Sequence, residues 1–372
     1  MKIFKVKNND IYYNLSDIDN TKALFRLVIG QRSNGKTYAV LKKVLTHYIK
    51  SKIASAYIRR YAEDIRPANI KNLLSPHINL IKKLTRGEYN NFILKSNCFY
   101  LCYIPENSKT GKPEKIDQTP CLYLISLSQW EHTKGADRGQ LDYLVFDEFC
   151  TRAKYLENEF IIFSNVLSSL IRSREPLAVY MLANTVNKYC PYFEEMGLYN
   201  IEDIKQGEIY LYDYNDKKTQ VAVEYSRQAG ATESISKFFA FENPPLDMLK
   251  NGAWEEANYR HLEKRYTKDD IYFTFYLQFT KHILKANVYK VNKDLCILFF
   301  RCCKPPDITD SDILYTDRPT TCLNHVNSFL ICNTKKQELI KNIIMQNKDY
   351  YSSNSVGEIV NNFKKEGVRL AI

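Results

Sequence analysis

Apolar and polar positions along this chain fall into two rhythms. Leu24-Phe25-Arg26-Leu27-Val28-Ile29 is a short run rich in branched residues and predicts a strand. Residues 38–50 follow with Val40, Val44 and Leu45 on one face and Lys42 and Lys43 outside, the period of an amphipathic helix. Further strands are predicted over Ala54–Ile58, over Tyr143-Leu144-Val145-Phe146-Asp147-Glu148 and over Leu177–Ala183, with a helix over 160–171 before the last of them. Strands alternating with helices predict an α/β domain around a central, mostly parallel sheet. After residue 226 this pattern stops. Gly230, the Asn243-Pro244-Pro245 break and a mixed charged stretch make 227–265 a linker with some helix. Residues 266–372 then carry apolar runs at 271–277, 283–289 and 295–300, which predict a small β-meander, and helices over 333–346 and 355–367. That is a smaller α+β domain. The segment 104–120, with its prolines, glycine and lysines, reads as an exposed loop.

The first strand runs directly into Gly30-Gln31-Arg32-Ser33-Asn34-Gly35-Lys36-Thr37, which fits G-x-x-x-x-G-K-[ST] at each fixed position, between a strand and a helix as the motif requires. Glycines let the loop fold back so that successive backbone N–H groups face phosphate oxygens, and the helix N-terminus adds positive potential. Lys36 would reach the β- and γ-phosphates of ATP, and the Thr37 hydroxyl would ligate Mg²⁺. The strand at 143–148 ends in two carboxylates: Asp147 is placed to hold the hydrated Mg²⁺, and Glu148 to polarise an attacking water as general base. An acidic turn after a strand is the ordinary alternative, and the pairing with the phosphate loop favours the chemical reading. Asn184, where the 177–183 strand ends, fits either a γ-phosphate sensor or a turn. Arg172, closing the helix at 160–171, fits either a macrodipole partner or an arginine finger for a neighbouring subunit's site.

Composition narrows the setting. Of 372 residues 45% are hydrophobic and 26% charged, the proportions of a globular chain rather than a disordered or coiled-coil one. Lys+Arg number 53 and Asp+Glu 42, and the resulting +11 fits a polyanionic partner such as nucleic acid, or a coding bias toward lysine. No apolar run approaches the roughly 18 residues of a membrane span. Met1–Lys7 is charged throughout, without the apolar stretch of a signal peptide, so the chain is expected to stay where it is made and its ten cysteines to be reduced thiols. The nearest approach to a metal-binding set, Cys302, Cys303, Cys322, His325 and Cys332, has no recognised zinc spacing.

Phe25 to Lys36, Tyr57-Ile58-Arg59-Arg60-Tyr61, Val145-Phe146-Asp147-Glu148-Phe149, Arg172-Ser173-Arg174-Glu175 and Cys190-Pro191-Tyr192-Phe193 occur in that order. In this respect the chain resembles the genome-packaging ATPases (encapsidation proteins) of small protein-primed podophages, over most of residues 22–226. The resemblance implies an additional-strand (ASCE) P-loop ATPase domain and a C-terminal domain of vestigial ribonuclease-H-like fold without nuclease function. It also implies a homo-oligomeric ring that moves double-stranded DNA through a portal into a prohead in the host cytoplasm, in some members with a structural RNA. Carried over by position, Lys36 and Thr37 are the Walker A pair and Asp147 and Glu148 the Walker B pair. Arg32 is a loop arginine that can touch phosphates, Arg172 the trans-acting finger, and Lys134 a second basic residue facing the neighbour's nucleotide. Arg59 and Arg60 form a basic pair without an assigned role. A helicase, or a nucleotide-gated DNA-binding module with slow turnover, are the alternatives. The clustered Asp307, Asp310, Asp312 and Asp317 lie beside prolines in a loop rather than on strands, where two-metal cleavage would need them.

Overall fold

The computed structural model describes residues 1–7, 12–32, 34–108, 110–133, 138–151, 155–172, 175–184, 190–198, 200–214, 219–227, 259–262, 266–279, 282–291, 294–302 and 306–370. The chain divides into two units, Met1–Glu255 and Glu256–Ile372. Most of the expected linker 227–265 lies outside the described residues.

The first unit runs β1 (Lys2–Lys5), α1 (Ser16–Asn20), β2 (Phe25–Gly30), α2 (Lys36–Ser51), β3 (Ala54–Arg59), α3 (Pro67–Leu74), α4 (Ile78–Leu84), β4 (Asn91–Lys95), β5 (Cys98–Tyr103), β6 (Lys115–Ile116), β7 (Leu122–Ser126), β8 (Leu141–Asp147), α5 (Glu159–Ile171), β9 (Ala178–Asn184), α6 (Pro191–Glu195), β10 (Glu208–Tyr214) and β11 (Thr219–Tyr225). The strands form one sheet in the order β1-β10-β11-β2-β9-β8-β3-β7-β5-β4, with β6 on β5. The central pairs, from β11 through β2, β9, β8 and β3 to β7, are all parallel, and antiparallel strands border them on both sides. Strand β9 lies between β2 and β8, so an additional strand separates the phosphate loop's strand from the one ending in carboxylates.

Parallel strands covered on both faces are mostly apolar, and β8 is buried from end to end, its Asp142 included. Side-chain alternation then sorts residues between two cores. Tyr143 and Val145 join Val40, Leu41, Val44, Leu45 and Tyr48 of α2. Leu144 and Phe146 join Phe163, Val166, Leu167 and Leu170 of α5. The expected loop at 104–120 carries a short strand, since Ile116 and Lys115 pair with Cys102 and Tyr103.

The second unit has β12 (Ile271–Phe279), β13 (His282–Val291), β14 (Asp294–Arg301), β15 (Leu314–Thr316), β16 (His325–Val326), α7 (Lys335–Met345), β17 (Asp349–Tyr351) and α8 (Asn354–Leu370). Its sheet order is β16-β15-β12-β13-β14-β17. Strands β12, β13 and β14 form the antiparallel meander, with β15 parallel to β12 and β16 parallel to β15. This is the strand order of the ribonuclease-H-like fold, extended by β17 alongside β14. Strands β12 and β15 present Phe275, Leu277 and Tyr315 to a packed aromatic core with Phe299, Phe329 and Phe363. A capping box starts α7: Thr334 Oγ1 accepts from Gln337 N at 3.3 Å, and Gln337 Oε1 accepts from Thr334 N at 2.9 Å. No helix among the described residues is long and apolar enough to cross a membrane.

Candidate active site

The phosphate loop is shaped by what surrounds its glycines. At Gly30 a Cβ would stand 1.9 Å from Ser226 Oγ, so any larger residue there displaces Ser226. Ser226, the first residue after β11, donates its N–H to Ile29 O at 2.8 Å and accepts from Asn34 Nδ2 at 2.8 Å. Gly35 has φ +92°, a left-handed conformation that lets the chain turn into α2. Lys36, 6% exposed, folds over the loop: its Nζ donates to Gln31 O at 2.7 Å, Asn34 Oδ1 at 3.1 Å, Gly30 O at 3.2 Å and Asn184 Oδ1 at 3.4 Å. Burial pushes the Lys36 ammonium down to about 7, against the opposing pull of the Asp147 carboxylate.

Sheet register brings the other groups to this loop. Gly30 pairs with Asn184 across β2 and β9, and Leu182 pairs with Asp147 across β9 and β8. Asp147 Oδ2 accepts from Thr37 Oγ1 at 3.0 Å and from Tyr57 OH at 2.7 Å, so the end of β8 meets the first turn of α2. Thr37 and Asp147 together offer hard oxygen donors, the chemistry Mg²⁺ prefers.

Glu148 turns out of the sheet at φ +60°, which costs a non-glycine residue about 1–2 kcal/mol. Arg60 holds the turn. Its Nη1 donates to Glu148 O at 3.0 Å, its Nη2 to Phe149 O at 2.7 Å and its Nε to Glu159 Oε2 at 2.8 Å. Glu159 also accepts from Tyr192 OH at 2.8 Å and from Leu156 N at 2.8 Å. Phe149, fully buried, packs against Tyr192 and Phe193 with ring centroids 5.8 Å apart. Arg59, adjacent on the strand and therefore facing the other way, sends Nη2 to Glu148 Oε2 at 2.7 Å. The two arginines thus hold Glu148 from different sides, Arg60 by the backbone that carries it and Arg59 by its carboxylate.

Gly30, Gln31, Asn34, Lys36, Thr37, Asp147 and Asn184 therefore gather at one place, with Glu148 one residue beyond. Arg32 is exposed. Arg172 is the exposed C-cap of α5, with φ +33°, its N–H donating to Ser168 O at 3.2 Å. Ser33 and Lys134 lie outside the described residues. Ser226 and Tyr57 are site residues that the sequence does not single out. Each stands beside a motif residue only through sheet pairing, and Tyr57's place within the Tyr57–Tyr61 stretch is the one signal of it.

A family model described as the podovirus DNA encapsidation protein (Gp16) matches residues 7–293. The DNA packaging protein of Bacillus phage phi29 is 25% identical over 189 residues, 50% of this chain and 50% of that one. The DNA packaging protein of Bacillus phage B103 is 28% identical over 178 residues, 47% of this chain and 48% of that one. The chain thus spans about half the length of the curated relatives it matches. Among solved structures, a chain of the bacteriophage Phi-29 viral genome packaging motor assembly aligns with 97% of this chain and 99% of its own, at 18% identity and a TM-score of 0.59. A chain of the Phi-28 gp11 DNA packaging motor aligns with 96% and 97%, at 18% identity and a TM-score of 0.52. At such identities the likeness speaks for the fold alone.

Proposed function

This chain belongs to the podovirus DNA encapsidation protein (Gp16) family, and from that premise we propose that it is an ATP-hydrolysing ring motor that drives double-stranded viral DNA into a preformed prohead. The observation that carries the ATPase reading is the 3.0 Å hydrogen bond from Thr37 to Asp147, because it joins the phosphate-cradling loop to the strand end that carries the acids. In this reading the loop N–H groups and Lys36 bind the β- and γ-phosphates, and Thr37 and Asp147 hold Mg²⁺. When bound there, Mg²⁺ neutralises charge on the phosphate oxygens. Glu148 accepts the proton of the attacking water once its carboxylate leaves Arg59. Asn184, 3.4 Å from Lys36 Nζ, is positioned to sense the γ-phosphate.

Lys36 gives this reading a pH signature. With its ammonium lowered to about 7, free Lys36 is mostly neutral at about pH 8, and a bound phosphate restores the charged form. ATP binding at that pH should take up protons. Calorimetry in two buffers of different ionisation enthalpy measures the uptake, and an enthalpy independent of buffer contradicts the assignment.

Arg172, exposed at the end of α5, acts on the neighbouring subunit's γ-phosphate in the ring, and Lys134 serves the same interface. Mixing Arg172→Ala with Lys36→Ala subunits should then recover part of the ATPase activity that each variant loses. No recovery at any ratio assigns the arginine to its own subunit.

DNA is gripped through its phosphates, so binding should fall steeply as salt rises. The test of the function as a whole is ATP turnover with and without double-stranded DNA and proheads, beside a strand-separation assay. The expected result is stimulation by DNA and proheads without strand separation. Unwinding of the duplex would make the protein a helicase, and turnover indifferent to DNA and proheads would make it a nucleotide-gated module.

A further inference from the structure

In the second unit, the segment before β15 and the turn leading into β16 meet at Asp310, Cys322 and His325, with one ligand atom of each within 4.8 Å of the others. From this geometry we propose that the three side chains bind a divalent transition metal, Zn²⁺ by their chemistry, as a clasp between the two segments. The donors are a thiol, an imidazole and a carboxylate, the mixed sulfur, nitrogen and oxygen set that suits zinc and not magnesium. It shares Cys322 and His325 with the cysteine-centred set met in the sequence, but takes its third donor from the Asp310 carboxylate rather than from Cys302 or Cys332.

The surroundings hold these donors in place without the metal. Cys322 and His325 belong to one turn, closed by His325 N donating to Cys322 O at 3.1 Å. That turn is tied to the other segment at the Asp310 carbonyl, which accepts from Asn324 Nδ2 at 2.9 Å and from Cys322 Sγ at 3.3 Å. His325 Nε2 lies 3.3 Å from Thr309 O, the kind of backbone anchor that orients a metal-binding imidazole. Tetrahedral zinc with bonds of about 2.0–2.3 Å needs donors about 3–4 Å apart, so rotamer adjustments of about 1 Å complete the set. Asp310 is exposed and the other two half-buried, which leaves an entry path and a fourth position for water.

Binding balances as an exchange. The Cys322 thiol gives up the proton it now shares with Asp310 O, His325 binds as neutral imidazole and Asp310 as carboxylate, so each metal bound releases one proton to solvent. The structural return is at the weakest part of the sheet. Strands β15 and β16 have three and two residues and share two paired positions, so a metal across their flanking segments reinforces what little pairing there is.

The experiment titrates the full chain with Co²⁺ as spectroscopic probe, in buffer without Mg²⁺ or ATP. One equivalent should produce a sulfur-to-cobalt charge-transfer band in the near ultraviolet, with proton release, and Zn²⁺ should displace it. Cys322→Ser should lose the band, and Asp310→Asn and His325→Ala should weaken binding at least tenfold (about 1.4 kcal/mol), while all three keep the wild-type circular dichroism spectrum and metal-free melting curve as proof that the second unit is folded. No band, or a band that survives in Cys322→Ser, overturns the proposal.

Discussion

Replacing Glu148 by Gln is expected to lower ATP turnover by about 10²–10⁴-fold while ATP affinity stays close to wild type. The amide keeps the size of the side chain and can still lie beside Arg59, so the left-handed turn after β8 has no reason to change. What is lost is the carboxylate that, in the proposed mechanism, accepts a proton from water. In the proposed mechanism affinity rests on other groups, the loop amides, Lys36 and Thr37. Turnover and nucleotide binding measured on the same preparation separate the two. Equal turnover in the variant assigns the base elsewhere, and a parallel loss of affinity makes Glu148 a structural residue.

The second large effect is expected at Arg60. It is 4% exposed, and its partner Glu159 is 3% exposed. Among the described residues, Arg60→Ala leaves that carboxylate buried with Tyr192 OH and Leu156 N as donors, and removing one member of a buried ion pair costs about 3–5 kcal/mol. At roughly 2–4 °C per kcal/mol for a domain of this size, the melting temperature should fall by about 6–20 °C. The double variant Arg60→Met, Glu159→Leu separates stability from positioning. An apolar pair of similar volume should recover most of the stability, but it has no donors for the carbonyls of Glu148 and Phe149. Turnover should therefore stay low after the melting temperature has returned. Recovery of both together would show that Arg60 matters only through the ion pair.

These two residues mark how far the sequence could be read. The strand–loop–helix at Gly30–Thr37 and the apolar strand ending at Asp147 are local patterns, and their periodicity and spacing are visible in a short window. The mostly parallel arrangement was legible from the alternation of strands and helices, while the additional strand came only with the family resemblance, because an apolar run does not say which strand lies beside it. The antiparallel borders were not. Strand β1 is exposed along its whole length, so no buried face marks it, and it joins the sheet only by pairing with β10, about 200 residues away. Contacts made at long range were equally out of reach: Arg60 finds Glu159 99 residues away, and Asn34 finds Ser226 192 residues away. Nothing in the basic pair Arg59-Arg60 says that one side chain holds a backbone turn and the other a carboxylate. That division follows from strand alternation at the end of β3. The C-terminal meander was readable from its apolar runs, but β15 and β16 are too short to stand out from a loop.

The most direct measurement combines the chain with proheads and double-stranded DNA and follows how much DNA becomes protected from nuclease. If ATP is bound at the loop around Lys36 and cut by a water held at Glu148 to move DNA, protected DNA should accumulate only with ATP and only with a hydrolysing subunit, and Glu148→Gln should protect none. Protection without ATP, or protection by Glu148→Gln at the wild-type rate, would contradict this mechanism.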